Sequence, residues 1–252
     1  MKMTGNTILV TGGNSGIGRG LAEAFHRLGN KVIITGRRRD TLDEVSAANP
    51  GIAGVTLDMG DADGIKAFAQ TLVHEHPDLN AVIHSAGIMK HERLAEGPDY
   101  LETAEETIAT NLLGPIRLTA ALLPHLTGQK DAAILTVSSG LAFVPLASTP
   151  TYSATKSAIH AYSMAIRHQL KDTSVQVIEI APPYVRTSLM GERQASDPNA
   201  MPLDEFIAEV IEILTNQPEA EEVIVERCRP LRHAAENGKV KDMFDMLVSL
   251  NH

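Results

Sequence analysis

Short β-rich runs and longer stretches of helical period take turns along this chain. Thr7-Ile8-Leu9-Val10 is the first β-rich run, and a glycine-rich turn, Thr11-Gly12-Gly13-Asn14-Ser15-Gly16-Ile17-Gly18, follows it. Leu21, Ala24, Phe25 and Leu28 then recur at helical spacing, which predicts an amphipathic helix stopped at Gly29. Residues 31–35, 54–59, 80–84, 132–137, 175–180 and 221–227 read as further strands. Helices are expected after Asp40 as a cap, over 61–75 with Ile65, Phe68, Ala69 and Leu72 inward, over about 100–123, around Tyr152, and over 204–215. Residues 188–203 carry Pro198, Pro202 and two methionines and read as a loop of little structure, of the kind that lids a site. The tail, 230–252, reads as one or two helices with Met243, Phe244, Met246 and Leu247 as its packing face. Six or seven strands alternating with helices predict an α/β fold, a Rossmann-type doubly wound parallel sheet in a single domain over 1–252.

Composition narrows the partners. A net charge of −9 lacks the basic balance expected of a nucleic-acid or membrane-surface binder. The lone cysteine, Cys228, allows no internal disulfide and suits a reducing compartment. There is no apolar run long enough to span a bilayer, nor an apolar leader in the first ten residues, so a cytoplasmic location is expected. His74 and His76 stand two apart with no Cys or carboxylate cluster behind them, and no metal site is expected.

The first strand, glycine turn, helix and second strand form the βαβ order of a dinucleotide site. Glycines let backbone approach a pyrophosphate, and the helix N-terminus offers N–H groups and partial positive charge. The spacing Gly12, Gly16, Gly18 is not Gly-x-Gly-x-x-Gly, so the strand–turn–helix context carries the reading against a plain glycine turn. An NAD site places an acid at the end of the second strand. Here Gly36 is followed by Arg37, Arg38 and Arg39, which favours the 2′-phosphate of NADP. Arg37 or Arg38 is expected to bind, with Arg39 facing solvent. Asp58 is placed for an adenine edge, with helix capping as its competitor. Ser85, Ala86 and Gly87 are small enough to let backbone pass a ribose.

Tyr152 and Lys156 are four apart, so on a helix they share a face. A cation beside a phenol favours the phenolate and lowers a pKa that is normally about 10, fitting it for proton transfer. Asn111 lies inside a predicted helix, and Pro115, four residues on, has no N–H for its carbonyl. Ser138-Ser139-Gly140 ends the fifth strand at the edge where such sheets hold ligands.

Taken together, Thr11-Gly12 through Gly18, Asp58, Ala86-Gly87, Asn111, Ser139, Tyr152 with Lys156, and Pro182 through Thr187 resemble the classical short-chain dehydrogenase/reductase family. Thr35-Gly-Arg-Arg, Ala181-Pro-Pro-Tyr-Val-Arg-Thr and the long tail are most similar to its DltE-like oxidoreductases. The resemblance implies a carbonyl/alcohol oxidoreductase using NADP(H) in preference to NAD. Tyr152 would be the acid/base, with Lys156 lowering its pKa. Ser139 would polarise the substrate oxygen, and Asn111 would hold a relay water, which the missing Pro115 N–H would favour. Gly12, Asn14, Ser15 and Ile17 would meet the pyrophosphate side, and Asp58, Met59, Ala86 and Gly87 the adenosine side. Tyr152, Lys156, Pro182, Val185 and Thr187 would meet the nicotinamide side. It departs from the family pattern at His84-Ser85, where Asn-Asn is usual, and at Pro183, where Gly is usual. The substrate walls would include Leu141, Phe143, Val144, Tyr184, Leu189 and Met190, with Glu192 and Arg193 as charged candidates. Family helices at 100–122 and 151–170 pair copies, which implies a homodimer or homotetramer. The alternative is a catalytically silent NADP(H)-binding redox sensor.

Overall fold

The computed structural model describes residues 1–250. Seven parallel strands form one sheet: β1 (Thr7–Thr11), β2 (Lys31–Gly36), β3 (Ile52–Thr56), β4 (Leu79–His84), β5 (Ala132–Val137), β6 (Val175–Ala181) and β7 (Glu222–Ile224). Their order is β3-β2-β1-β4-β5-β6-β7, so the winding reverses between β1 and β4. In open α/β sheets that crevice is where ligands bind.

Helices cover both faces: α1 (Gly16–Arg27), α2 (Arg39–Ala48), α3 (Ala62–Glu75), α4 (Tyr100–Ile108), α5 (Gly114–Leu126), α6 (Pro150–Leu170), α7 (Glu192–Ser196), α8 (Leu203–Asn216), α9 (Arg229–Arg232) and α10 (Val240–Leu250). β1 is buried along its whole length because both its faces are covered. Ile8 and Val10 point to a core with Leu21, Phe25, Phe206 and Val210, while Leu9 points to one with Ile65, Leu118 and Leu122. Each such side chain contributes about 1.5–3 kcal/mol by leaving water, which makes β1 a rigid mount for the loop that follows it.

Several expected boundaries move. α1 stops at Arg27, so Leu28 is its exposed C-cap rather than a packing residue, and Gly29 turns the chain at φ 87°. Asp40 sits in the first turn of α2, whose N-cap position belongs to Arg38. β3 ends before Asp58 and Met59, and β7 gives way to a 3-10 turn at Glu226–Cys228. The expected 188–203 loop contains α7, and Val185 forms a bridge with Met201. The tail folds as α9 and α10, with Met246 exposed; Asn251 and His252 lie outside the described residues.

The expected helix over 100–123 is continuous in direction but changes pitch. Residues Ala109–Leu113 form a π turn in which the Gly114 N–H reaches the Ala109 carbonyl, one residue further than in an α-helix. Pro115 stands at the second position of α5, where its missing N–H interrupts the regular ladder. Asn111 is at the centre of this turn.

Candidate active site

The loops after β1, β4, β5 and β6 converge on the crevice. Gly12 and Gly16 have φ of 67° and 53°, a region that favours glycine. A Cβ at Gly18 would lie 2.3 Å from the Gly12 carbonyl, and one at Gly12 2.8 Å from the Ala86 Cα. Only glycines let the β1 loop fold this tightly and lean on the β4 loop. Thr11 ties the two together, its hydroxyl accepting from the Ser85 and Ala86 N–H groups at 3.1 Å. Ser15 takes the N-cap position of α1 without a side-chain capping bond, and the first turn carries no acid. The N–H groups of that turn therefore face the crevice edge as donors for an anion. These features fit a dinucleotide pyrophosphate.

The other expected residues sort by place. Asn14 turns toward the β2 end: its Nδ2 donates to the Thr41 hydroxyl at 2.8 Å, and a Cβ at Gly36 would meet its Oδ1. Ile17 packs on the core. Arg37, Arg38 and Arg39 are all exposed. Arg37 Nη1 meets Glu106 at 3.3 Å, and Lys90 meets the same carboxylate at 2.5 Å. The bond to Lys90, then that to Arg37, holds the Glu106 carboxyl below its usual range. Arg39 pairs with Asp43. Asp58 is exposed and accepts from the Gly60 N–H; the cap of α3 is Asp61, which accepts from the Asp63 and Gly64 N–H groups. Met59 is buried, and a Cβ at Gly114 would press on its carbonyl.

Gly87, Asn111 and Lys156 meet: a Cβ on Gly87 would lie 3.3 Å from Asn111 Oδ1 and 3.8 Å from Lys156 Nζ. The Asn111 amide clamps Ile88, accepting from its N–H and donating to its carbonyl, both at 2.8 Å. Lys156 Nζ donates to the Val137 carbonyl at 2.8 Å and stands 5.5 Å from the centre of the Tyr152 ring. The Ser139 hydroxyl faces Tyr152 and favours its ionised form, while its oxygen accepts from the Leu141 N–H at 3.1 Å. Ser139, Tyr152 and Lys156 are all buried. The shared helical face of Tyr152 and Lys156 is as their spacing implies.

The electrostatics correct one expectation. Burial pushes the Tyr152 phenol up to about 12, and the opposing influence is the Ser139 hydroxyl rather than Lys156. Burial likewise brings Lys156 down to about 8, against the pull of the Glu179 carboxylate. The amine donates to the Val137 carbonyl while lying over the face of the Tyr152 ring.

Beyond β6, Pro182 accepts from the Gly140 N–H at 2.8 Å, coupling the β5 and β6 loops. A Cβ on Gly16 would touch Thr187, so the far end of the β6 loop closes over the glycine turn. Gln194, not singled out in the sequence, latches this segment: buried on α7, it donates to the Val185 carbonyl at 2.8 Å and accepts from the Met190 N–H. Of the expected walls, Val144 is wholly buried core, and Phe143 is engaged by His160 and Arg232. Tyr184 and Leu189 are exposed, and the Tyr184 hydroxyl donates to Asp197. Glu92 also escaped notice: it is buried and takes the Thr151 N–H and hydroxyl, fixing the start of α6. A single acid in a polar loop carries no signal of that role.

The crevice of the doubly wound sheet thus holds a glycine turn, with Ser139, Tyr152 and Lys156 gathered beside it. The short chain dehydrogenase family model matches residues 6–198, and the chain belongs to that family. It is thus an NAD(P)-dependent enzyme acting between CH–OH and C=O. It is 46% identical over 189 residues to the uncharacterized oxidoreductase DltE of Bacillus subtilis, covering 75% of each chain. It is 31% identical over 230 residues to an NADP-dependent 3-hydroxy acid dehydrogenase of Schizosaccharomyces pombe, covering 83% of this chain and 86% of that one. A short chain dehydrogenase from Burkholderia cenocepacia, solved with NADP, superposes with a TM-score of 0.81 at 24% identity, over 98% of this chain and 99% of that one. Solved neighbours include both NADP-bound and NAD-bound chains. Among the described residues no helix is long and apolar enough to cross a membrane.

Proposed function

We propose that this protein reduces a carbonyl to an alcohol, and runs the reverse, with NADP(H) in preference to NAD. The observation that carries the reading is the burial of Ser139, Tyr152 and Lys156 together at the crevice, with the Lys156 Nζ 5.5 Å from the centre of the Tyr152 ring. When bound, the nicotinamide supplies or accepts the hydride. Ser139 donates to the substrate oxygen as it gains negative charge, and Tyr152 delivers the proton. A phenol held near 12 is protonated at neutral pH and still yields its proton to an alkoxide, which is the stronger base. The charge on Lys156 supports the phenolate left behind and holds the ribose hydroxyls. The Asn111 carbonyl, to which Pro115 offers no N–H, is the anchor for a water that returns the proton.

Arg37 supports the cofactor preference: its partner Glu106 can be exchanged for a 2′-phosphate, with Lys90 and Arg38 at hand. The Schizosaccharomyces pombe relative's NADP dependence points the same way. Residues 188–203, latched by Gln194, form the lid over a mixed apolar substrate. Leu101, Ile108 and Met164 lie exposed on α4 and α6, beside a depression lined by Leu94, Tyr100, Leu112 and Ala154. We assign that face to a second copy in a homo-oligomer, and the location to the cytoplasm.

The test is NADPH consumption across aldehydes, ketones and diketones. Tyr152→Phe should cut turnover by roughly 10²–10⁴-fold while binding NADPH as before. Tight NADPH binding with no turnover on any carbonyl would replace the enzyme reading with that of a redox sensor.

A further inference from the structure

β6 carries a carboxylate where the strand is otherwise closed to water. Glu179 is 0% exposed, and its Oε1 has no hydrogen-bond partner. Its Oε2 meets His160 Nδ1 at 2.7 Å. His160 is four residues past Lys156 on α6, so the two share a face. Glu179 pairs in register with Thr136, the residue before Val137, whose carbonyl takes the Lys156 ammonium. A buried ionised carboxylate needs opposite charge near it.

The groups facing Glu179 come from three sides: Lys156 and His160 on α6, Glu222 on β7, and Cys228 and Arg232 in the C-terminal segment. Glu222 is engaged through both oxygens by Arg232, at 2.7 and 3.1 Å. Ligand atoms of His160, Glu179 and Glu222 lie within 4.8 Å of one another, and the guanidinium already supplies the cation on the Glu222 side. Burial, then Glu179, pushes the Cys228 thiol up to about 12, so it stays neutral. Among the described residues, the cation left to answer Glu179 is Lys156 on α6.

We propose that Glu179 is a positioning residue for catalysis: its carboxylate, fixed by His160 and shut off from water, is the counter-charge that keeps Lys156 an ammonium. This rests on the oxidoreductase reading above, in which the charged amine serves the phenol and the ribose. Burial alone drives Lys156 toward the neutral amine, and Glu179 is the charge that opposes it. Glu179 does not touch the reacting atoms; it sets the charge of a residue that does.

The experiment is a pH titration of the Lys156 side-chain carbon resonance in labelled protein, assigned with Lys156→Arg. In Glu179→Gln, of similar shape, the Lys156 midpoint should fall by about 1–3 pH units. The alkaline limb of carbonyl turnover should move down the pH scale with it. His160→Gln keeps the carboxylate and should leave the midpoint where it was or raise it. An unmoved midpoint in Glu179→Gln overturns the proposal even if carbonyl turnover is normal. A moved midpoint in a protein that reduces no carbonyl upholds the charge pairing and defeats the oxidoreductase reading alone. Should Glu179→Gln not fold, the unmutated protein decides: a Lys156 midpoint below neutral pH would show that no counter-charge acts.

Discussion

His84 should make the protein lose stability as the medium turns acid. It ends β4 with its ring buried, Nε2 meeting the Thr119 hydroxyl at 2.9 Å and Nδ1 unpartnered. Burial lowers its pKa from 6.5 to about 4. The unfolded chain takes up the proton near 6.5, and the folded chain refuses it until about 4. The contribution is therefore complete above 6.5 and is lost as pH falls through about 4. At full development the gap is worth about 3 kcal/mol, and between pH 7 and pH 5 roughly 2 kcal/mol of it disappears. Urea unfolding of the wild type and His84→Asn at both pH values isolates the effect, since asparagine can keep the Thr119 bond but does not titrate. The wild type should lose about 2 kcal/mol more than the variant on acidification. Equal losses would refute the reasoning, because the buried ring would then carry its proton as readily as an exposed one.

Three further outcomes follow from the same coordinates. Arg37→Asp should weaken NADPH binding by roughly 10–100-fold, the loss of a charge-assisted bond, and spare NADH; equal affinities of the unmutated protein for both would undo the cofactor argument. Gly18→Ala puts a methyl 2.3 Å from the Gly12 carbonyl; it should cost about 1–3 kcal/mol in thermal or urea unfolding and reduce cofactor affinity. Gln194→Leu strands the Val185 carbonyl and the Met190 N–H; about 1–3 kcal/mol of local stability should go, read as faster proteolysis within 188–203 and a raised KM.

The parts of the site that lie along one element were legible beforehand. Tyr152 and Lys156 share a helix, Gly12 to Gly18 a turn, and the strand–helix alternation gives the sheet. Contacts made across elements were not. The spacing of Tyr152 and Lys156 puts the amine beside the ring, but only the fold shows the Val137 carbonyl claiming its protons. Arg37 reads as a free cation until α4 brings Glu106 to it. Asp58 reads as an adenine-edge residue with capping as its competitor; the cap is Asp61, three residues on, which takes the two N–H groups, since β3 ends earlier than its apolar pattern suggests. Pro115 announced a disturbed helix, and the form it takes, a π turn centred on Asn111 beside the close approach of Gly114 to Met59, shows only in the fold.

Gly140 follows Ser139 directly, and a Cβ there would run into Leu231 at 2.7 Å and Cys228 at 3.3 Å. The loop bearing the serine is thus backed by Cys228 and Leu231, about ninety residues further along the chain. During synthesis the sheet through β6 can be paired long before residues 228–231 leave the ribosome. The nascent chain would then hold a dinucleotide crevice whose serine loop still lacks its brace, and chemical competence would arrive only once residues 228–231 have packed against it.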